Sequence, residues 1–254
     1  MRPTVLSIAG YDPSGGAGLL ADIKTFEALK VYGLGVQTAL TWQNESEFER
    51  IEWKPVSDVI SQLELLFRKS KVDYAKIGLV ENATTFGEIV DYLQVRNPKI
   101  HIIWDPILQA SAGFDFHSSS SQSDWQNYLS KLYLFTPNRL ELQWLSQSSD
   151  EISAAQYFAR YCHVFLKGGH RVDKLGYDYL AVFKEKGEAN GKTFSFRPKG
   201  ERVSAKHGSG CVLSSAITAY LAQGYPLHKA CLHAKGYVTR FLSSNESLLG
   251  YHKM

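Results

Sequence analysis

Stretches that read as buried strands alternate with stretches of helical period along most of the chain. Residues 4–9 form a nearly continuous apolar run closed by Gly10, as expected of a strand covered on both faces. Leu19, Leu20, Ile23, Phe26 and Leu29 then recur at helical spacing over residues 19–30, and residues 33–40 read as a second buried strand. A strand, a helix and a strand with no hairpin turn between them form a βαβ unit, which implies parallel strands and a right-handed crossover. The pattern recurs as helix 59–67, strand 74–77, helix 86–95, strand 100–104 and strand 133–135. A helix through Glu141 to Leu145, a helix over 154–161 and a strand over 163–166 continue it.

The pattern then changes. Residues 179–184 and 192–197 flank Asn190-Gly191, a hairpin signal that adds an antiparallel edge. Residues 202–204 read as strand-like, and helices over 212–223 and 227–242 close the fold; the serine-rich residues 118–123 read as a surface loop. Neither a repeat nor a linker interrupts the series. The expectation is one domain over residues 1–254: a doubly wound α/β fold whose mostly parallel central sheet is flanked by helices and carries an antiparallel edge. Such folds bind ligands at the C-terminal ends of their strands.

Composition narrows the function classes. With 254 residues, 44% hydrophobic and 21% charged, the chain is globular rather than disordered. A formal net charge of +3 and the lack of a Lys/Arg-rich run argue against a nucleic-acid surface. No apolar stretch approaches the roughly 18 residues of a membrane span. The first residues run into a strand without a signal-peptide pattern. The three cysteines, Cys162, Cys211 and Cys231, lack zinc-ligand spacing, so a cytoplasmic protein with reduced thiols is expected.

Candidate chemistry gathers at predicted strand ends and helix starts. Lys206-His207-Gly208-Ser209-Gly210-Cys211 leads into a buried helix whose first N–H groups lack internal partners, so the turn suits an anion. Cys211 would sit in the first turn, where the helix dipole is expected to lower a thiol pKa and favour thiolate. The turn is neither a P-loop nor a Gly-X-Gly-X-X-Gly loop. The Asp12–Gly18 loop reads as a phosphate loop or as a tight turn packing a helix against the sheet. Asp105 is either a carboxylate for a divalent metal or half of an Asp-Pro turn. Asn138 and Glu141 either face one crevice or form a capping box. Lys167 is a cation at a strand end or a solvated lysine. Trp42 and Gln43 either meet a ring and an amide edge or pack, while His228 and His233 read as structural. The shared rim favours an enzyme.

The pieces Ala9-Gly10-Tyr11-Asp12-Pro13-Ser14-Gly15-Gly16-Ala17-Gly18, Ala21-Asp22-Ile23-Lys24-Thr25-Phe26, Thr136-Pro137-Asn138-X-X-Glu141, Leu166-Lys167-Gly168-Gly169-His170 and His207-Gly208-Ser209-Gly210-Cys211 occur in that order. Together they resemble the hydroxymethylpyrimidine/phosphomethylpyrimidine kinases of thiamine biosynthesis, within the ribokinase superfamily. Most ribokinase relatives carry Asp at the last motif position; cysteine is typical of this branch and of some pyridoxal kinases. The resemblance implies that Gly208, Ser209 and Gly210 form an anion hole and that Cys211 is the base. It makes Lys167 the neutralising cation, assigns Asp105, Asn138 and Glu141 to magnesium, and lines the pyrimidine pocket with Asp12, Ala17 and Gln43.

It further implies ATP and Mg2+ as cofactors, a homodimer, and phosphorylation of 4-amino-5-hydroxymethyl-2-methylpyrimidine and its monophosphate. The alternatives are a pyridoxal or pyridoxine kinase, or a non-catalytic relative that binds a vitamin precursor. The chain departs from the family pattern at Gly78-Leu79-Val80, at Ile107-Leu108-Gln109-Ala110-Ser111-Ala112-Gly113, and at Trp42, which is larger than the usual residue.

Overall fold

The computed structural model describes residues 2–109, 113, 116, 122–169, 175–183, 192–198 and 202–252. Strand β1 (Thr4–Tyr11), helix α1 (Gly18–Ala28) and strand β2 (Tyr32–Gln43) build the first βαβ unit. Strand β3 (Phe48–Trp53), α2 (Val56–Phe67), β4 (Tyr74–Ile77), α3 (Ala83–Arg96) and β5 (His101–Trp104) follow. Next come α4 (Gln122–Gln126), a 3-10 turn Leu129–Lys131, β6 (Leu134–Phe135), α5 (Arg139–Ser146), α6 (Glu151–Phe158) and β7 (His163–Leu166). The last elements are β8 (Asp178–Ala181), β9 (Thr193–Phe196), α7 (Ser209–Ala222) and α8 (Leu227–Leu242).

The strands form one sheet in the order β3-β2-β1-β4-β5-β6-β7-β8-β9. The six central strands from β2 to β7 pair in parallel, while β3 and the β8-β9 pair are antiparallel. Alternate strand residues face opposite sides. Leu6, Ile8, Ala75, Ile77, Ile102 and Trp104 join one buried cluster with residues of α2 to α6, while Val5, Ile103, Leu134 and Phe165 join a second with residues of α1, α7 and α8. The chain leaves β1 for β2 and β3, then returns to β4, so the order reverses between β1 and β4. Helix α7 packs against both of those strands. Its N-terminus therefore opens at the switch point, where such sheets bind ligands.

The expected elements are present, with differences. Strand β3 was not anticipated: Phe-Glu-Arg-Ile-Glu-Trp is a polar edge strand, exposed or half-buried throughout, that lacks a buried strand's apolar run. Residues 202–204 form no strand; Ser204 N–H instead bonds the Leu242 carbonyl at 3.1 Å. Gln122 and Ser123 begin α4 rather than ending a loop, and residues 118–121 lie outside the described residues. The Asn190-Gly191 turn also lies outside them, but the strands it was expected to join do pair, Asp178 opposite Phe196 through Ala181 opposite Thr193.

Candidate active site

The rim is built by chain reversals at the C-terminal ends of the parallel strands. Asp12 follows β1, Gln43 ends β2, Asp105 follows β5, Asn138 lies three residues beyond β6, and Lys167 directly follows β7. Helix α7 enters among them. Gly208 precedes it with φ +70°, and no side chain caps its first turn. A Cβ on Gly208 would run into the Gly16 carbonyl and Ala17, so the Asp12–Gly18 loop and the Gly208–Cys211 turn touch backbone to backbone. Only glycine meets both demands without strain.

Lys167 and Asp105 form the centre. Lys167 Nζ donates to Asp105 Oδ1 at 2.6 Å and lies 3.4 Å from Glu141 Oε2; all three residues are buried. A Cβ built on Gly210 would stand 3.5 Å from Lys167 Nζ, so the ammonium borders the α7 N-terminus. Burial opposes the Lys167 charge, but Asp105 and Glu141 outweigh it and raise its pKa. Burial pushes the Glu141 carboxyl up to about 7, against the pull of Lys167 and with a further push from Asp105. Asn138 caps α5: its side chain accepts the Glu141 N–H at 2.9 Å, and Glu141 Oε2 accepts the Asn138 N–H at 2.5 Å. The capping-box and crevice readings are thus one arrangement, since the box holds the Glu141 carboxylate beside Lys167.

A second buried charge pair, unassigned by the sequence reading, lies beneath this centre. Lys76 and Asp22 are both fully buried, 2.5 Å apart. Asp22 also accepts Ser7 Oγ and Ser215 Oγ at 2.6 Å each. Lys76 reaches Asp105 Oδ2 at 3.8 Å and the Cys211 carbonyl at 3.5 Å, while Ser214 Oγ donates to Asp105 Oδ2 at 2.8 Å. Burial disfavours the Lys76 ammonium, yet Asp22 and Asp105 raise its pKa and keep it charged. The sequence did carry a signal: a lysine inside the apolar strand Tyr74-Ala75-Lys76-Ile77, and an aspartate on the buried face of α1 beside Ala21, Thr25 and Phe26.

Cys211 does sit in the first turn of α7, but as a buried thiol rather than a thiolate. Burial pushes its pKa up to about 12; Lys76 and the Gly18 N–H pull it down, while Asp105 and Asp22 push it further up. The expected dipole effect is overridden because desolvation acts on a sulfur with two carboxylates nearby.

The opposite bank is organised differently. The buried Asp12 carboxylate accepts the Ser14 N–H, Ser14 Oγ and Ala17 N–H at 2.9 Å each, and pairs with His207 Nε2 at 2.8 Å. Burial works against this carboxylate, but His207, Ser14 and Ala17 outweigh it and lower its pKa. Asp12 therefore ties its loop to the anion turn. His207 Nδ1 is buried with no hydrogen-bond partner. Gln43 Nε2 donates to Thr41 Oγ1 at 2.8 Å, and Gln43 remains half-buried. Trp42 carries Arg50 from β3 over its ring at 3.8 Å, so that ring face packs against a neighbouring strand.

Among the described residues, no cluster of three or more His, Cys, Asp or Glu forms a cage for a metal. Both Asp105 oxygens and Glu141 Oε2 already face Lys167, Ser214 or Asn138. This donor set fits magnesium held mainly by phosphate oxygens and water, with carboxylates beyond the first shell, and does not fit an all-protein site.

Residues 12–253 match the family of phosphomethylpyrimidine kinases. A hydroxymethylpyrimidine/phosphomethylpyrimidine kinase of Staphylococcus aureus is 33% identical, over 94% of this chain and 88% of that protein. The thiamine biosynthesis bifunctional protein ThiED of Geobacter sulfurreducens is 36% identical over 94% of this chain, which spans 49% of that relative's length. Among solved structures, the phosphomethylpyrimidine kinase of Clostridium difficile superposes with a TM-score of 0.73 at 30% identity, covering 94% of this chain and 99% of that one. The pyridoxal kinase of Staphylococcus aureus in complex with AMP-PCP and pyridoxal gives 0.82 at 26% identity, covering 98% and 90%. No helix among the described residues is long and apolar enough to cross a membrane. A ribokinase-like sheet, an uncapped helix start flanked by a buried lysine, and a match over nearly the whole chain agree: this chain belongs to the phosphomethylpyrimidine kinase family and is a phosphotransferase.

Proposed function

We propose that the chain, acting as one kinase domain, transfers the γ-phosphoryl group of ATP to the hydroxymethyl oxygen of 4-amino-5-hydroxymethyl-2-methylpyrimidine. Its monophosphate is the second acceptor, and both reactions serve thiamine biosynthesis. The observation that carries this reading is the convergence of Lys167 with the uncapped α7 N-terminus, across from the Asp12–Gly18 loop. Phosphoryl transfer passes through a loose transition state with charge spread over oxygens, so fixed donors and cations supply most of the acceleration. Gly208, Ser209 and Gly210 offer N–H groups to that charge, Ser209 in exchange for its long 3.4 Å bond to the Lys206 carbonyl, and Lys167 neutralises it. Magnesium bound with the nucleotide would add charge neutralisation, with Asp105 and Glu141 placed to hold its water ligands. The new bond joins the acceptor oxygen to phosphorus, the bond from phosphorus to the bridging oxygen breaks, and ADP leaves.

Cys211 stands beside the acceptor hydroxyl in this reading. A pre-formed thiolate is not part of it, because burial keeps the sulfur protonated. Cys211 is therefore not the base the resemblance implies; the hydroxyl proton leaves late, as a loose transition state permits, and passes to an oxygen of the transferred phosphoryl group and on to solvent. Asp12 contributes by holding Ala17 and the loop against the anion turn, and Gln43 presents its amide to the pyrimidine edge.

Pyridoxal kinase is the second reading, favoured by one observation: the overall shape superposes better on the Staphylococcus aureus pyridoxal kinase than on the Clostridium difficile enzyme, although the sequence is nearer the latter. The deciding experiment incubates the purified chain with ATP, Mg2+ and each alcohol, with the phosphorylated product read by mass. The pyrimidine should give kcat/KM at least about 10-fold above pyridoxal, a difference of ~1.4 kcal/mol. Phosphorylation of pyridoxal alone would reverse the assignment. The same reading carries a cytoplasmic location, supported by three free, buried thiols, and a homodimer, checked by light scattering on the eluted protein.

A further inference from the structure

The residue after Lys167 is bonded to a further ion pair. The Oδ1 atom of Asp178, a buried residue on β8, accepts the Gly168 N–H at 2.7 Å, and its Oδ2 pairs with Lys235 Nζ from α8 at 2.5 Å. Lys235 Nζ also donates to the Gly176 carbonyl at 2.6 Å, and the Gly176 N–H returns to the Gly168 carbonyl at 2.8 Å. Both polar groups of the Gly168 backbone are therefore held, and a side chain there would collide with the Tyr177 backbone. On its other side, the Lys167 N–H bonds the Pro137 carbonyl at 2.8 Å. Between these two anchors the Lys167 side chain extends to Asp105 and Glu141.

We propose that Asp178, oriented by Lys235, is a positioning residue for phosphoryl transfer: it fixes the Gly168 backbone so that the Lys167 ammonium is delivered to the α7 N-terminus. A bond from a backbone N–H to a carboxylate is shorter and stronger than one to a neutral acceptor. Replacing a buried ion pair by apolar groups of similar size is often neutral or stabilising, so fold stability alone gives little reason for the pair. Precision does. A misplacement of 1 Å at a reacting group costs on the order of 100-fold in rate.

This inference rests on the kinase reading of Lys167, so the test includes Lys167→Met. Steady-state kinetics with ATP and the pyrimidine are measured for wild type, Lys167→Met, Asp178→Asn and the double variant Asp178→Leu/Lys235→Met, each checked for folding by circular dichroism. Asp178→Asn keeps an oxygen for the Gly168 N–H and should stay within about 5-fold of wild-type kcat. The double variant should fold yet lose about 100-fold in kcat with KM within about 3-fold, a split that lowered stability alone would not produce. A folded double variant with wild-type kcat, beside an inactive Lys167→Met, would overturn the proposal. A fully active Lys167→Met would instead overturn the kinase reading of that residue. Should the double variant not fold, hydrogen exchange at the Gly168 amide of the wild type decides: strong protection supports the clamp, and exchange at the free rate overturns it.

Discussion

The two banks of the rim are made of different materials. On one side, Asp22, Lys76, Asp105, Lys167 and Glu141 form a chain of buried charges, each held by at least one partner, with Lys167 and Glu141 at its slightly exposed end. On the other, beyond the buried pair of Asp12 and His207, Trp42 and Gln43 are half-buried at the end of a long strand beside the polar edge strand β3, and Gln43 makes one local side-chain bond. The first bank is suited to stabilising charge, since preorganised groups in a dry site act without reorganising. The second is suited to shape and amide recognition, which a half-exposed surface can vary without disturbing the core. The proposed function thus divides chemistry and specificity between core and edge.

Breaking the buried bank should have the largest effect. Lys76→Met strips the buried Asp22 of its counter-charge, leaving it only the Ser7 and Ser215 hydroxyls, and should cost about 3–5 kcal/mol of stability, read as a lowered urea midpoint. Gly208→Ala comes next. It forces a side chain into a left-handed backbone position at ~1–2 kcal/mol and into the Gly16 and Ala17 backbone, so the turn must shift and kcat should fall about 100-fold. Cys211 sharpens the same point through pH. With its pKa raised to about 12, the thiolate fraction at pH 8 is far below that of a free cysteine and grows only as pH climbs toward that value. Iodoacetamide should therefore label Cys211 at least about 100-fold more slowly than free cysteine, as followed by peptide mass mapping. The smallest effect belongs to the edge: Arg50→Ala removes one cation–π contact with Trp42 and should cost about 0.5–1 kcal/mol.

Legibility in the sequence followed the same division. Parallel strands covered on both faces announce themselves as apolar runs, so the βαβ order and the rim were readable, as were Asp105, Asn138, Glu141, Lys167 and the glycine turn before α7. Strand β3 was not, because an edge strand such as Phe-Glu-Arg-Ile-Glu-Trp is under no pressure to be apolar. Lys76 and Asp22 receive no role from the motifs or the apolar segments they sit in, although a charge in such a segment is itself the clue. The ionisation of Cys211 was misjudged because helix position is visible in a sequence, whereas desolvation and carboxylates brought in from α1 and the end of β5 are not. Asp178 escaped for a related reason: its partners Gly168 and Lys235 come from elements far away in the chain, and only the folded sheet brings them together.

The division between core and edge is tested most directly by one crossed measurement, kcat and KM for the pyrimidine in Lys167→Met and Gln43→Ala. Lys167→Met should lose about 100- to 1000-fold in kcat with KM within about 3-fold, whereas Gln43→Ala should raise KM about 10-fold with kcat within about 3-fold. If both variants instead move the same parameter by similar factors, chemistry and specificity are not separated between the two banks.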